Sequence, residues 1–438
     1  MDISSLYEKF IAHPVVCTDT RTITPGCIFF ALKGENFNGN KFAADALEKG
    51  AAYAVIDEAA FAQGEKYILV NDVLTALQDL ARHHRRQLGL KVLGLTGSNG
   101  KTTTKEIVAR VLSKKFKTHF TKGNLNNHIG VPLTLLQLTK EHEFAVIEMG
   151  ANHQKEIELL SSFCEPDFGL ITNVGLAHLE GFGGPEGVLK GKTELFDNLR
   201  MNHGTAFVFA DDERIVKRAE GLRSVTYGTE KSSDISGCIL SSDPTVTFSW
   251  WSNANDHSSS TTETQRHRVK TNLTGEYNLP NLLAACAVGN YFGIPANEID
   301  DAIANYIPDM NRSQMEKRGT NTFILDYYNA NPSSMEAAIN NMAKLKAEYK
   351  IVLLGDMFEL GEESAKEHQR IVDLIGEKLS GAKVVLVGKH FAATKDSFGA
   401  IRVNDSAAAG EWLKRENPQN SLILIKGSRG TKMENVLI

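Results

Sequence analysis

Short runs of apolar residues alternate with longer segments of helical periodicity along most of the chain. Continuous apolar runs are typical of strands buried on both faces, and apolar positions three or four apart are typical of helices that cover a sheet. The strand-like runs lie at residues 27–32, 52–56, 67–70, 92–95, 144–147, 169–172, 205–210, 323–325, 351–354, 384–387 and 422–425. The alternation predicts an α/β fold with mainly parallel, covered sheets.

Two interruptions of this pattern divide the chain into three consecutive α/β domains. The periodicity predicts a helix over residues 74–88, which Gly89 would end as a C-terminal cap. The strand and helix pattern breaks again at residues 306–312. We therefore expect an N-terminal domain at 1–89, a central domain with a phosphate-binding loop and a mainly parallel sheet at 90–308, and a C-terminal Rossmann-like domain at 309–438.

Residues 234–271 interrupt the parallel pattern of the expected central domain. Pro244 and the apolar-aromatic run at 246–251 are followed by a stretch rich in Ser and Thr at 258–264. Such a pattern predicts an antiparallel hairpin with a polar tip.

Composition and charge exclude two classes of protein. Hydrophobic residues make up 42% and charged residues 23% of the chain, close to globular averages, which excludes a wholly disordered protein. The 48 Lys and Arg against 53 Asp and Glu give a net charge of -5, whereas a dedicated nucleic-acid binder needs a strongly positive balance. An anionic ligand must therefore be bound by a local cluster of positive groups.

The cysteines and the N-terminal residues indicate a reducing compartment. The cysteines contain no CxxC pair, which favours buried thiols over a disulfide framework. The N-terminal residues lack the basic and apolar segments of a secretory signal, and the longest uncharged stretch, 277–297, contains Asn, Pro and Gly. We expect a cytoplasmic protein that neither inserts into a membrane nor binds nucleic acid. The five cysteines are Cys17, Cys27, Cys164, Cys238 and Cys286.

A glycine-rich turn connects a predicted strand to a predicted helix that starts near Thr102. Gly97 and Gly100 would let main-chain N–H groups approach a polyphosphate. Lys101 would reach the terminal phosphate oxygens, and the Thr102 hydroxyl would bind magnesium. The motif is shorter than a full Walker A loop, because the first glycine of that pattern would fall at Leu95.

Two polar residues follow other predicted strands of the same sheet, Glu148 and His178. Because the carboxyl ends of parallel strands meet at one edge, we expect both to share a crevice with Lys101 and Thr102. A nucleotide-bound magnesium ion usually takes a carboxylate ligand from such a position. Alternatively, each residue caps a neighbouring element, which is the common role of a single polar residue at a strand end.

A set of motifs extends well beyond the glycine-rich turn. TGSNGKTTTKE at 96–106 is followed by related stretches at 123–136, 147–152, 171–184 and 191–196. Together they resemble the ATP-dependent Mur ligase family. Three more, at 323–339, 353–361 and 424–434, resemble the members that join D-alanyl-D-alanine to UDP-N-acetylmuramoyl-tripeptide. The resemblance implies a peptide ligase of peptidoglycan precursor synthesis that forms an acyl phosphate and releases ADP and phosphate.

The resemblance also implies the cofactors and the substrates. It implies ATP, two magnesium ions and a carbamylated Lys192 that acts as a carboxylate-like metal ligand, with Lys190 as a competing candidate for that modification. The substrates would be UDP-N-acetylmuramoyl-tripeptide and D-alanyl-D-alanine, and we expect a monomer. Asn311 stands where the family usually has Gly, and Tyr327 stands where an acidic or small residue is usual.

The resemblance assigns site residues in four groups. The catalytic residues would be Lys101, His178 and Lys192. The metal ligands would be Thr102, Glu148, His178 and carbamylated Lys192. ATP would be bound by Gly97, Ser98, Asn99, Gly100, Lys101, Thr102, Thr103, Asn278, Asn281, Arg312 and Asp326. The substrates would be bound by Asp19, Arg21, Lys33, Gly34, Asn126, Asn127, Asn329, Asn331, Lys426, Ser428 and Arg429.

Three other functions stay open at this point. A sister Mur ligase or a folylpolyglutamate synthetase would share the phosphate loop, and a switch or transport ATPase would use the nucleotide without an amino-acid acceptor. The motifs at 329–335 and 355–361 argue against the first two. Because ligand-like motifs lie on both sides of residues 306–312, we also expect the third domain to close on the second.

Overall fold

The computed structural model describes residues 2–253, 265–308 and 311–438. Within these residues the strands form three main sheets with helices packed on their faces, which confirms the predicted α/β class. The predicted polar tip at 258–264 and positions 309–310 of the predicted domain break lie outside the described residues.

The first sheet is built from short strands near the N-terminus. Its described elements are α1 (Ile3–Ala12), β1 (Val16–Cys17), β2 (Ile28–Phe30), β3 (Lys33–Gly34), β4 (Phe37–Asn38), α2 (Ala43–Glu48), β5 (Tyr53–Ile56), β6 (Tyr67–Leu69) and α3 (Val73–Leu88). Strands β1, β2, β5 and β6 pair in parallel in that order, and β3 and β4 form a separate antiparallel ribbon. The Asp72 side chain caps α3 by accepting from the Thr75 N–H, and Gly89 ends the helix with φ +65°, as predicted.

The second sheet is the largest, and parallel pairing dominates it. Its described elements are β7 (Lys91–Thr96), α4 (Lys101–Leu112), β8 (Thr118–Phe120), α5 (Gly130–Leu135), β9 (Phe144–Glu148), α6 (Glu156–Cys164), β10 (Phe168–Ile171), α7 (Leu179–Phe182), α8 (Pro185–Met201), β11 (Thr205–Phe209), α9 (Glu213–Ala219), β12 (Arg223–Gly228), β13 (Ile235–Ser241), β14 (Thr247–Ser252), β15 (His267–Lys270), α10 (Leu279–Tyr291) and α11 (Ala296–Ala304). The order of the described strands is β15-β14-β13-β12-β11-β10-β7-β9-β8, and β14 and β15 form the antiparallel pair that the sequence predicts.

The register of the second sheet brings three strand ends to one edge. Strand β7 lies between β9 and β10, and Leu95 on β7 pairs with Glu148 on β9 and Leu170 on β10. Val92 and Leu93 are both fully buried in β7, so the strand packs against helices on both faces. The turn that follows β7 therefore emerges beside Glu148.

Helix α3 joins the first sheet to the second through buried polar contacts. Arg85 donates to the Cys164 carbonyl at 3.0 Å and to the Asp167 carboxylate at 2.9 Å. His84 Nε2 lies 2.9 Å from the Leu138 carbonyl oxygen. Arg85 and His84 are both buried. Without these partners, each buried polar group would be unsatisfied and would cost about 1–3 kcal/mol of stability.

The third sheet is again mainly parallel. Its described elements are β16 (Gln314–Arg318), β17 (Asn321–Asp326), α12 (Pro332–Lys344), β18 (Tyr349–Gly355), α13 (Ser364–Lys378), β19 (Lys383–Val387), α14 (Lys389–Ala392), β20 (Ile401–Val403), α15 (Ser406–Glu416) and β21 (Ser421–Lys426). The order is β16-β17-β21-β18-β19-β20, and only β16 runs antiparallel to its neighbour among the described strands. Asp326 and Lys426 pair at the carboxyl ends of β17 and β21.

Helix α12 packs against the second sheet's part of the chain. The Asn341 side-chain amide donates to the Thr274 hydroxyl at 3.0 Å, and Lys344 pairs with Glu276 at 2.5 Å. The carboxyl ends of the third sheet also lie close to the turn after β7, since Asp326 and Lys426 line one cavity with Lys101.

The cysteines are all free, and one of them differs from the expectation of burial. Cys17, Cys27, Cys164 and Cys286 are buried, whereas Cys238 on β13 is partly exposed. Gly237 faces helix α10, where a Cβ would lie 2.5 Å from the Leu283 side chain. Because side chains alternate along a strand, Cys238 points to the opposite, less covered face.

Across the described ranges, the helices lack the combined length and apolar character that crossing a membrane requires.

Candidate active site

The turn between β7 and α4 requires glycine at two positions. Gly97 has φ +145° and Gly100 has φ +77°, both in the range that favours glycine. A Cβ on Gly97 would lie 2.0 Å from the Thr172 hydroxyl oxygen, and one on Gly100 would lie 2.6 Å from the Asn281 side-chain oxygen. The main chain thus runs directly into the N-terminus of α4, where free N–H groups favour an anion.

Lys101 folds back over the turn. Its Nζ donates to the main-chain oxygens of Gly97 at 2.7 Å and Ser98 at 3.1 Å. Burial lowers the pKa of Lys101 to about 8, an effect that Glu148 opposes and Arg312 reinforces. A phosphate oxygen bound at this turn would therefore meet the Lys101 amino group as a partly desolvated cation.

Glu148 is the buried carboxylate next to this turn. It accepts hydrogen bonds from the Thr102 hydroxyl at 3.1 Å and from the Asn126 amide at 2.9 Å, and Lys105 Nζ lies 3.7 Å away. A carboxylate and a hydroxyl side by side are the hard oxygen donors that magnesium prefers, so these two residues fit that ion. Within the described parts of the chain, no group of three His, Cys, Asp or Glu residues could hold a metal by itself. Magnesium here would need ligand oxygens from a nucleotide and water as well.

A cavity of about 770 Å³ opens beside the turn, and the second and third sheets both contribute to its walls. Its size suits a nucleotide-sized ligand. The expected site residues that line it are Ser98, Asn99, Gly100, Lys101, Thr102, Thr103, Asn126, Asn127, Glu148, His178, Asn278, Asn281, Arg312, Asp326, Asn329, Asn331 and Lys426. The expected site residues that do not line it are Asp19, Arg21, Lys33, Gly34, Gly97, Lys192, Ser428 and Arg429.

Two asparagines support the turn from the α10 side. The Asn281 side chain accepts from the Thr104 hydroxyl at 3.0 Å and donates to Asn278 at 2.9 Å. Asn278 in turn donates to the Thr274 carbonyl at 2.9 Å. Both asparagines line the cavity, and each side chain already donates one hydrogen bond and accepts one within the protein.

Arg312 stacks on an aromatic ring that sequence reasoning missed. Its guanidinium carbon lies 3.8 Å from the centroid of Tyr328, which also lines the cavity. The flanking residues Asn311 and Ser313 have φ +56° and +51°, a conformation that costs non-glycine residues energy. Tyr328 follows the motif aspartate Asp326 by two positions, and that spacing was the available signal.

Lys426 already has a carboxylate partner. Its Nζ lies 2.6 Å from Asp326, which also accepts from the Ser313 N–H at 3.2 Å. Asn329 accepts from the Ala330 N–H at 2.9 Å. Lys426 and Asp326 thus form a nearly buried ion pair at the end of the third sheet.

Helix α12 contacts the glycine-rich turn directly. The Asn331 amide, which also caps α12, donates to the Asn99 side-chain oxygen at 2.8 Å. The Leu176 N–H donates to the Ser333 hydroxyl at 2.9 Å. Two residues at the start of one helix therefore bind the loops after β7 and β10.

His178 reaches across to the third sheet's part of the chain. Its Nδ1 is hydrogen bonded to the carboxylate of Glu359, and this bond lowers the pKa of Glu359 against the opposing effect of burial. Glu359 lies in the motif at 353–361, but nothing in the sequence marks this carboxylate as a site residue. Only the fold shows that it meets His178.

Lys192 lies behind the cavity wall in a buried position. Its Nζ donates to the carbonyl of Ala151, a lining residue, at 3.0 Å and lies 4.9 Å from the Phe182 ring centroid. Burial, reinforced by the charge of Lys101, holds the pKa of Lys192 well below its usual range. Lys190, the competing candidate, is exposed.

The expected substrate residues of the first sheet lie away from the cavity. Arg21 donates to both carboxylate oxygens of Asp19, and this holds the pKa of Asp19 at about 2. Lys33, at the start of the β3–β4 ribbon beside Gly34, lies 3.1 Å from Asp57.

Three further expected substrate residues differ in whether their side chains already have hydrogen-bond partners within the protein or are exposed. The Asn127 side chain accepts from the N–H groups of Ile129 and Gly130, next to the start of α5. The buried Ser428 hydroxyl donates to the Ala330 carbonyl at 3.1 Å. Arg429 is exposed.

Three family models match the chain in sequence order. The Mur ligase family, catalytic domain model matches residues 15–85. The Mur ligase middle domain model matches residues 95–289. The Mur ligase, glutamate ligase domain model matches residues 311–429.

Several named relatives are similar over nearly the full length. The UDP-N-acetylmuramoyl-tripeptide--D-alanyl-D-alanine ligase of Escherichia coli (strain K12) is 38% identical, over 98% of this chain and 93% of that protein. The protein of the same name from Bacillus subtilis (strain 168) is 33% identical, again over 98% of this chain and 93% of that protein.

Solved structures agree with the architecture described above. A crystal structure of MurF from Acinetobacter baumannii has a TM-score of 0.84 at 32% identity and covers 96% of this chain and 92% of that chain. The MurF ligase of Thermotoga maritima in complex with ADP has a TM-score of 0.86 at 24% identity, covering 97% and 96%, and shows likeness of fold alone.

Proposed function

This chain belongs to the Mur ligase family, and we propose that it joins D-alanyl-D-alanine to UDP-N-acetylmuramoyl-tripeptide with ATP as the energy source, a step of peptidoglycan precursor synthesis. The observation that carries the proposal is the single cavity in which the glycine-rich turn, the buried Glu148 and the ends of the third sheet meet. The relatives that are similar over nearly the whole chain bear the name of this activity.

The reaction needs an activated carboxylate, because an unactivated one would have to expel an oxide ion. The terminal carboxylate oxygen of the tripeptide attacks the γ-phosphorus of ATP, which breaks the bond to ADP and forms an acyl phosphate. The amine of D-alanyl-D-alanine then attacks the acyl carbon, loses a proton and expels phosphate. The site must therefore bring two anions together and exclude water from the mixed anhydride.

The residues around the glycine-rich turn provide the positive field for the first step. Lys101 and the N–H groups at the start of α4 would bind the terminal phosphates, since Lys101 needs only to leave two main-chain carbonyls to do so. Thr102 and Glu148 would hold magnesium, which when bound neutralises phosphate charge and aligns the oxygens. Arg312, fixed on Tyr328, would face the γ-phosphate from the third sheet's side.

Lys192 is proposed to be carbamylated, and together with His178 to form the ligands of a second magnesium ion. Carbamylation requires the neutral amine, whose nitrogen attacks carbon dioxide and releases a proton. Burial of Lys192 favours that neutral form, whereas Lys190 is exposed. This contrast supports Lys192 as the modified residue.

The remaining site residues divide between nucleotide and substrates. Asn278 and Asn281 would lie on the adenine side of ATP, with Asp326 toward the linker between the sheets. Asn126, Asn127, Asn329 and Asn331 would contact the peptide or its acceptor. Lys426, Ser428 and Arg429 would lie near the carboxylates of the substrates. Asp19, Arg21, Lys33 and Gly34 would hold the UDP-sugar on the first sheet.

We also propose that the three sheets mark three domains with boundaries at 1–89, 90–308 and 309–438. The strands of each sheet fall within one of these ranges, and each family model does the same. The enzyme would act as a monomer. It would be located in the cytoplasm, a reducing compartment that suits its free cysteines.

A substrate-omission assay tests the proposed function. Phosphate release should require ATP, the UDP-linked tripeptide and D-alanyl-D-alanine together, and Lys101→Ala should abolish it, whereas the exposed control Lys140→Ala should not. Equal phosphate release without the dipeptide would favour a switch or transport ATPase. Product formation with a single amino acid in place of the dipeptide would favour a sister ligase.

A further inference from the structure

We infer that Glu359 is a positioning residue for His178, and that it reaches the imidazole because the third domain is docked on the second. This inference rests on the proposed function, since it gives Glu359 a part in the same site. The two residues lie 181 positions apart in the chain, yet their side chains are hydrogen bonded through Nδ1 of the imidazole.

The contact is held by main chain in an unfavourable conformation on both sides. His178 has φ +53° and Glu359 has φ +61°, although neither is glycine. Such residues each cost about 1–3 kcal/mol and persist where the surrounding structure fixes them. At Gly361, where φ is +54°, a Cβ would lie 3.3 Å from Cβ of Glu180, so this turn rests closely on α7. The two strained positions face each other across the domain boundary.

The chemistry of imidazole makes this contact directional. A neutral ring that donates from Nδ1 to a carboxylate carries its lone pair on Nε2. The only hydrogen bond of the His178 ring among the described residues is the one at Nδ1, and His178 lines the cavity that also holds Thr102 and Glu148. Histidines that bind metals almost always donate their other N–H to a carboxylate, a backbone carbonyl or water, and Glu359 is a carboxylate in that position.

An ordinary surface ion pair is the simpler explanation, and it can be weighed against the geometry. Exposed pairs contribute about 0–1 kcal/mol and need no special backbone. The His178 side chain is only 19% exposed, whereas that of Glu359 is 54% exposed, so one partner is largely withdrawn from water. A pair that was only a surface contact would not explain why both partners have left-handed backbone, with His178 at the wall of the cavity.

Kinetics of Glu359→Gln test the inference, with Glu362→Gln on the same exposed turn as the matched control. Glu359→Gln should lower kcat about 10- to 100-fold, while the KM values of both substrates change less than about threefold. This pattern is expected because Glu359 orients the imidazole of His178 and does not itself bind substrate. Glu359→Asp should retain more activity than Glu359→Gln. Unfolding midpoints of all variants check that they fold.

A second measurement requires no bound ligand. In protein labelled with ¹⁵N-histidine, without nucleotide or metal, the His178 ring should carry its proton on Nδ1, with the signal assigned by its loss in His178→Gln. In Glu359→Ala the proton should move toward Nε2, whereas Glu362→Gln should leave the spectrum unchanged.

Either of two outcomes would overturn the inference without affecting the proposed function. The first is that Glu359→Gln has the same kcat as Glu362→Gln. The second is that the His178 tautomer is the same in Glu359→Ala as in the wild type. Failure of the proposed function can also be distinguished from failure of the inference. If the wild-type enzyme forms no peptide product from both substrates, the proposed function fails, while the ¹⁵N spectra still decide whether Glu359 sets the ring of His178.

Discussion

Lys192 shows how far burial changes the chemistry of a single residue. The ordinary pKa of a lysine is about 10.4, so the neutral amine that attacks carbon dioxide is scarce at neutral pH. Lys192 is enclosed beside Phe182 with one hydrogen bond to Ala151, and its pKa falls well below the usual range. Burial therefore favours the neutral, nucleophilic amine at Lys192.

At this scale we predict that Lys192→Ala abolishes peptide formation, whereas Lys190→Ala retains activity within about twofold, as exposed substitutions usually do. Mass spectrometry of the intact wild-type protein at neutral pH should show one added carbon dioxide, lost on acidification and absent from Lys192→Ala. Full activity of Lys192→Ala would remove Lys192 from the metal site.

The element that matters most is the connection from β7 to α4. Gly97 and Gly100 allow the main chain to pass within contact distance of Thr172 and Asn281. The close approach lets α4 begin directly at Lys101, so that its unpaired N–H groups face the cavity. The nucleotide site thus depends on backbone shape as much as on side chains.

At the scale of this element we predict that Gly97→Ala weakens ADP binding at least about tenfold, since the added Cβ meets Thr172 and the residue is strained at its φ. Gly381→Ala is the matched control, because Gly381 has φ +81° but open space around it. That control should lose about 1–2 kcal/mol of unfolding free energy and bind ADP normally. Titration calorimetry measures both affinities, and unchanged binding by Gly97→Ala would contradict the prediction.

At the scale of the molecule, the start of α12, which packs on the third sheet, contacts the loops after β7 and β10 of the second sheet through a few hydrogen bonds. Asn331 reaches Asn99, and Ser333 accepts from Leu176. Behind them, Asn341 and Thr274 are hydrogen bonded and buried. Binding of ATP and docking of the third domain should therefore favour each other, because both act on the same turn.

We predict that Asn331→Ser lowers kcat about 3- to 10-fold, the equivalent of one hydrogen bond. Serine still caps α12, so the unfolding free energy should change by less than about 0.5 kcal/mol. Steady-state kinetics and thermal unfolding measure the two effects, with the exposed Ser397→Ala as control. A loss of stability without a loss of kcat would mean that Asn331 acts only as a helix cap.

Local patterns determined much of this protein. Apolar runs predicted strands such as β7 and β18, and Gly89 correctly marked the end of α3, because burial of consecutive side chains and the conformational freedom of glycine act over a few residues. The burial predicted for Cys238 was wrong because it depends on which face of β13 is covered.

The sequence by itself thus determined the α/β class, and most of the site residues that the family motifs suggest do line the cavity. The tertiary structure alone decided that Glu359 meets His178, that Tyr328 carries Arg312 and that Lys426 is already paired with Asp326. The physical reason is distance along the chain. Propensity and periodicity act between near neighbours, whereas these contacts join residues that strand pairing and the packing of one sheet's region on another bring together.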